Sequence, residues 1–346
     1  MRSESTRGRE RATHAESTNK RERPHTHPEE DHVSTNGTVE MPALDQTEIV
    51  LTRRDLRAAA ESLTVEQVRW LVDQYYAWQD FRIQAGNQVA ALTKTAEPCA
   101  AIDYTGHQLR RLEDDVKAML DRYTRVEPTG MGAWAREIVG IGPVISAGLL
   151  ANIDITKCPT VGHIWSFAGL NPEAVWAKGQ KRPWNARLKV LCFKAGESFV
   201  KVQNNKNDIY GKVYVARKRY EVERNTSGVL AGQAAQKLER FKIGKDTDAY
   251  KAYSTGILPP AHIHARARRY ATKLFLAAYF EEAYRRHHGA EPPLPYVISH
   301  LHHGHHIDLR VLHDSHPDGS EAREAALRTL LVKVAGQQAR AAAVGA

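Results

Sequence analysis

From Thr52 onward the apolar positions settle into a three-four spacing. Thr64 followed by Gln67 has the form of a capping box. Behind it Val68, Leu71, Tyr75, Trp78, Ala85, Val89 and Leu92 recur at helical intervals, interrupted by Arg82. After a break near Pro98, the residues Leu109, Leu112, Val116, Met119 and Tyr123 repeat the pattern. Two long helices with narrow apolar seams predict an antiparallel hairpin or an intermolecular coiled coil. A helical layer lying over the next domain fits the same spacing.

Glu127-Pro128-Thr129-Gly130 reads as a linker, and IVGIGPVISAGLLANIDITKCPTVGHIWSFAGLNP follows from Ile138 to Pro172. Gly140 and Gly142 flank one apolar residue. That spacing allows a tight turn that leaves backbone N–H groups pointing outward at the start of the next helix. Such a helix start is a ready anion site, and phosphate is the anion a basic protein meets on nucleic acid. The stretch therefore reads as the hairpin and second helix of a helix-hairpin-helix unit, or else as an ordinary packing corner between two helices. Leu149, Leu150 and Ile153 continue its apolar face, and a short helix through Trp165 to Leu170 stops at Asn171-Pro172.

The next pattern change is one of charge. Between Trp176 and Arg224 stand thirteen Lys or Arg against four acidic residues, a local balance of +9 that equals the net charge of the whole chain. The basic character is concentrated there. Leu188, Leu191, Cys192, Gly196 and Phe199 form one buried helical face, with Arg187, Lys189, Lys194 and Lys201 mostly away from it. Trp176, Trp184, Tyr210, Tyr214 and Tyr220 are interleaved with the cations, a combination suited to phosphate contact with stacking. The plain alternative, a solvated charged face, ordinarily carries both signs. Gly228 to Gly256 reads as a polar, partly helical insertion. After Pro259-Pro260 comes a helix with the apolar stripe Ala267, Tyr270, Leu274, Ala277, Ala278 and Tyr284, its early turns carrying Arg266, Arg268, Arg269 and Lys273. His300 to His306 offer imidazoles that can bind metal, but no Cys or carboxylate set stands at ligand spacing, and no metal site is assigned. An amphipathic helix from Glu321 to Val334 leads to an Ala-rich tail.

Composition narrows the classes. A chain of 346 residues has room for one or two domains, and its pI near 9.4 favours a polyanionic partner. No apolar run of about eighteen residues suggests a membrane span, and the N-terminus lacks the apolar core of a secretory signal. Cys99, Cys158 and Cys192 stand far apart with no CxxC pair, which points to a reducing, cytoplasmic setting. Met1 to about Leu44 is polar, charged and poor in residues to bury, the composition of a disordered arm. The expected fold is mostly α. A disordered arm (1–46) precedes a coiled-coil-like helical hairpin (47–127), then a helix-hairpin-helix domain that binds DNA (128–290), then a His-rich loop and C-terminal helix (291–346).

GIGPVISAGLLANI and FAGLNP, followed by a basic block and then ARARRYATKLFLAAY, resemble a known family. The chain looks like the C-terminal domain of insertion-sequence transposases of the IS one-ten (also one-sixteen) type, the recombinases guided by a bridge RNA. The resemblance covers roughly Trp134 to His288, and its most specific part is the pair GIGP and AGLNP with 24 residues between them. It implies an N-terminal RNase-H-like domain whose acidic cluster holds metal ions, and a serine shortly after the AGLNP-like motif that attacks DNA. This chain departs from both. The region before GIGP is too short and too helical for an RNase-H-like fold, Asp103, Asp114 and Asp115 fall on helices, and Ala177 stands where the serine is due. Ser198, beside Glu197 on a basic helix, is the candidate for a displaced nucleophile.

The reading is therefore a mobile-element DNA-binding protein, with RNA as a further partner and self-association through the N-terminal helices. It needs no cofactor of its own, and Mg²⁺ enters only with an acidic-cluster partner chain. Its contact residues are Gly140, Gly142, Lys178, Lys181, Arg182, Trp184, Arg187, Lys189 and Lys194. Two rivals remain: an active recombinase working through Ser198 or a partner subunit, and a helical interaction protein without enzymatic activity.

Overall fold

The computed structural model describes residues 52–97, 99–172, 174–293, 309–313 and 320–336. The N-terminal arm and the His300–His306 run lie outside them. The described part is mostly α-helical, with no strand among the described residues.

α1 (Arg53–Ala59) starts at a capping box between Thr52 and Asp55. α2 (Val65–Lys94) starts at the capping box read from the sequence, Thr64 with Gln67. α3 (Ala100–Val126) returns along α2. Val68, Leu71 and Val72 at the start of α2 share a core with Val116 and Leu120 near the end of α3, so the two helices run antiparallel. The hairpin is the form the seams take. Arg82, which interrupts the apolar spacing of α2, forms an ion pair with Glu113 of α3 across the seam. That pair also corrects the seam expected for α3. Glu113, at 6% exposure, turns inward to meet the guanidinium, and Leu112 is left 44% exposed. A buried charge needs its counter-ion far more than a leucine needs burial.

α4 (Met131–Glu137), the turn 138–142 and α5 (Pro143–Asn152) follow. Nine of the ten residues of α5 are buried, because it lies between two cores. Val144, Ala147 and Ala151 close the hairpin's core, while Ile145 and Leu149 belong to the main one. The hairpin's core and the main core thus meet on α5.

The main core gathers α6 (Val161–Phe167), α7 (Ala186–Val202), α8 (Tyr210–Thr226) and α11 (Pro260–His288), with the helix Ser320–Val334 packed on α8. Phe199, Tyr210 and Phe275 meet at its centre with ring centroids 5.0–5.4 Å apart. Tyr210 and Tyr214, read from the sequence as interleaved with cations for stacking, are core residues at 0% and 4% exposure. The Tyr210 hydroxyl lies 2.8 Å from Nε2 of His313. The insertion forms α9 (Ala231–Arg240) and α10 (Asp248–Ser254) around Leu230, Ala234, Leu258 and Ile263. Asn225 secures it with two 2.9 Å bonds, its Nδ2 donating to the Leu258 carbonyl and its Oδ1 accepting from the Leu258 N–H.

Candidate nucleic-acid interface

In segment 171–185, between α6 and α7, the described residues are largely exposed. Its ends are pinned. The Asn185 N–H donates to the Phe167 carbonyl at 2.9 Å, and the Asn185 side chain caps α7 by accepting from Leu188 N–H at 3.0 Å. Gly169, in the AGLNP motif, has φ +65° and lies against Trp184 and Lys189. A Cβ there would come within 3.0 Å of Trp184 Cγ, so the motif's glycine lets the indole and the lysine stem close over the end of α6.

Three ring–cation pairs draw on four parts of the chain, α6, segment 171–185, α7 and α11. Lys189 Nζ lies 4.0 Å from the Trp184 ring, Arg182 lies 5.2 Å from the Trp176 ring, and Lys273 Nζ lies 4.2 Å from the Trp165 ring. The Trp165 N–H donates to the Lys273 carbonyl at 3.0 Å, fixing α6 on α11. Burial first, then Arg182 and Arg269 nearby, hold the Lys189 ammonium below the ordinary lysine value. Burial lowers Lys273 as well. Arg269 is depressed by burial and then by Arg266, against a smaller opposing pull from Glu221.

Among the described residues Arg182, Lys189, Arg269 and Lys273 form no ion pair with a carboxylate, in contrast to their neighbours. Arg266 bonds Glu221 at 2.9 Å, and Arg268 pairs with Glu197. Lys189 is repelled by Arg182 and Arg269, while Lys273 is lowered by burial alone, and an anion relieves both the repulsion and the unpaired burial. The groove of about 490 Å³ between the start of α8 and the helix Ser320–Val334 differs. There Asp208 and Glu324 stand among Lys206, Lys212, Arg323 and Arg328.

The residues read from the sequence divide between surfaces. Arg182, Trp184 and Lys189 come together on the face just described. Lys178 and Lys181 are exposed in the same segment, between Trp176 and Arg182 in the chain. Arg187 and Lys194 face α2 instead. Arg187 pairs with Asp73 at 2.8 Å, and Lys194 Nζ lies 4.8 Å from the Tyr76 ring. Gly140, at φ +98°, makes the turn before α5, and Gly142 is the N-cap of α5, beside an open space where a Cβ would meet nothing within 4 Å. Ser198 Oγ donates to the Gly140 carbonyl at 2.6 Å, from a partly buried position behind the turn.

Sequence reasoning named Arg269 and Lys273 as early cations of α11 but did not place them in the site. Their signal was the four-residue spacing that sets both on one side of the helix, while Arg266 and Arg268 turn to carboxylates. Among the described residues no group of three or more His, Cys, Asp or Glu side chains is arranged to hold a metal ion. Asp115 pairs with Arg53 at 2.9 Å, and Asp103 lies 3.7 Å from His107. Comparison with protein-family models, curated proteins and solved structures gives no match to this chain.

Proposed function

We propose that this chain is a nucleic-acid-binding protein of a mobile element, related to the C-terminal domain of bridge-RNA-guided transposases, and that it engages DNA through the face built by segment 171–185, α6, α7 and α11. The observation that carries this reading is the group Arg182, Lys189 and Arg269, with Lys273 one turn further along α11, none of them ion-paired to a carboxylate among the described residues, beside Trp165 and Trp184. Phosphate oxygens supply the missing negative charge, and such contacts provide most of the affinity of sequence-independent binding.

The turn at Gly140–Pro143 serves as a second backbone contact beside the open space at Gly142. The hairpin α2–α3 supports self-association, since Trp70, Phe81, Tyr104 and Leu112 are all more than 40% exposed along it. No helix among the described residues is long and apolar enough to cross a membrane. Cys158 and Cys192 are buried, Cys99 is half-buried and all three are free, as suits the cytoplasm. The test is a binding titration of a labelled DNA duplex at about 50 mM salt, the low range where phosphate contacts are strong. Wild type binds, and the variant with all four cations changed to Gln binds far more weakly. Equal affinity of the two proteins would refute the assignment.

A further inference from the structure

Trp176 is held in a manner the phosphate contacts do not require. Its indole N–H donates to the Gln180 carbonyl at 2.6 Å. The turn that makes this possible runs through Gly179 at φ +91°, with Gln180 N–H donating to Ala177 at 3.2 Å. The Arg182 guanidinium lies 5.2 Å from the ring centroid, and the ring is still 37% exposed. A large aromatic ring fixed by its polar edge, outside the hydrophobic clusters and partly open to solvent, offers a face to a ligand. Phe167, whose carbonyl accepts from the Asn185 N–H at the end of the same segment, is also exposed, at 43%. Exposed rings interleaved with unpaired cations form the surface that holds single-stranded nucleic acid, where bases stack on aromatics and phosphates follow the cations. A closed duplex presents no free base faces to such rings.

We infer that Trp176 is a stacking platform for an unpaired base, and that this face prefers single-stranded or locally opened nucleic acid to closed duplex. The inference rests on the nucleic-acid reading above and specifies its substrate. Both DNA and RNA supply unpaired bases, so the test carries both. Affinities of the full chain are measured by fluorescence anisotropy for a dT oligonucleotide, an rU oligonucleotide, a duplex with the same number of phosphates, and heparin as a polyanion without bases.

Wild type is expected to bind a single strand more tightly than the duplex, and a preference between dT and rU assigns the source of the base. Trp176→Ala should lose about 5- to 100-fold on single strands, the range set by one stacked base. Trp176→Tyr should restore most of that affinity, and heparin binding should be unchanged in both variants. Circular dichroism of both variants should match wild type, because the ring lies outside the core. Duplex bound as tightly as single strand, or undiminished single-strand binding by Trp176→Ala, would overturn the inference while leaving phosphate binding standing. Failure of wild type to bind any of the four ligands would overturn the proposed function itself.

Discussion

Ser198 donates its hydroxyl proton to the carbonyl of Gly140 at 2.6 Å, tying α7 to the turn that opens α5. Gly140 is held there at φ +98°, and a Cβ would lie 3.0 Å from Phe199 and 3.2 Å from Val202. The serine considered as a displaced nucleophile thus has an architectural use, and its variant should behave accordingly. Ser198→Ala is expected to lose about 1 kcal/mol of stability and to keep its affinity for nucleic acid. Gly140→Ala should cost more, about 1–3 kcal/mol, because it adds left-handed backbone strain to the contact with Phe199. Thermal melts and binding titrations of the two variants check this. A Ser198→Ala protein with wild-type stability would remove the architectural role.

Arg82 and Glu113 pair inside the helical hairpin, with side-chain exposures of 27% and 7%. Removing one partner leaves a charge stranded. Glu113→Ala should therefore cost about 3 kcal/mol, the low end of the usual range because Arg82 still reaches water. Replacing both residues by Leu should restore stability to within about 1 kcal/mol of wild type. Denaturant unfolding of the two single variants and the double variant decides the matter, and additive losses would contradict the pairing.

Acid should weaken the fold in two windows. Burial pushes His313 down to about 4, with Arg323 adding to the effect. The unfolded chain therefore binds the extra proton first, so stability falls as pH drops from about 6.5 toward 4 and this contribution levels off below. His262, also at about 4 through burial and then Lys237, acts in the same window. For Glu221, burial pushes its carboxyl up, but the hydrogen bond from Arg266 and the charge of Arg217 together pull it below the ordinary value of 4.5. Its contribution is present above pH 4.5 and is lost as pH falls below that value. Melting temperatures measured from pH 8 to pH 3 should show both declines. Glu221→Gln should flatten the lower one, and an unchanged lower decline in that variant would contradict the assignment.

Arg187 and Lys189 lie two positions apart on α7 and should separate in function. Arg187→Gln breaks an exposed pair with Asp73 and should change stability by less than about 1 kcal/mol, with little effect on binding. Lys189→Gln should weaken binding of every nucleic acid tested. Binding titrations of the two variants side by side check the division, and equal losses would place both residues on the contact surface.

What the sequence made legible follows from the range of each interaction. The capping box at Thr64, the hairpin helices and the glycine turn are written in residues a few positions apart. The basic block was visible as composition, but its useful charges were not separable from the rest. Arg187 is neutralised by Asp73, more than a hundred residues earlier in the chain, while Arg269 and Lys273 arrive from a helix beyond the insertion. Tyr210 and Tyr214 alternate with cations as a stacking surface would, yet lie on the inward side of α8. The inversion of Leu112 and Glu113 depended on Arg82, thirty-one positions from its partner. Periodicity alone assigns the leucine to the seam.

The measurement that tests the central claim most directly is the salt dependence of DNA binding by wild type and by the variant with Arg182, Lys189, Arg269 and Lys273 changed to Gln. On duplex DNA each phosphate contact contributes about 0.9 to the slope of log K against log salt. The account predicts a steep wild-type slope, and a slope shallower by about 3.6 units in the variant, one contact for each cation removed. Identical slopes in the two proteins would contradict it.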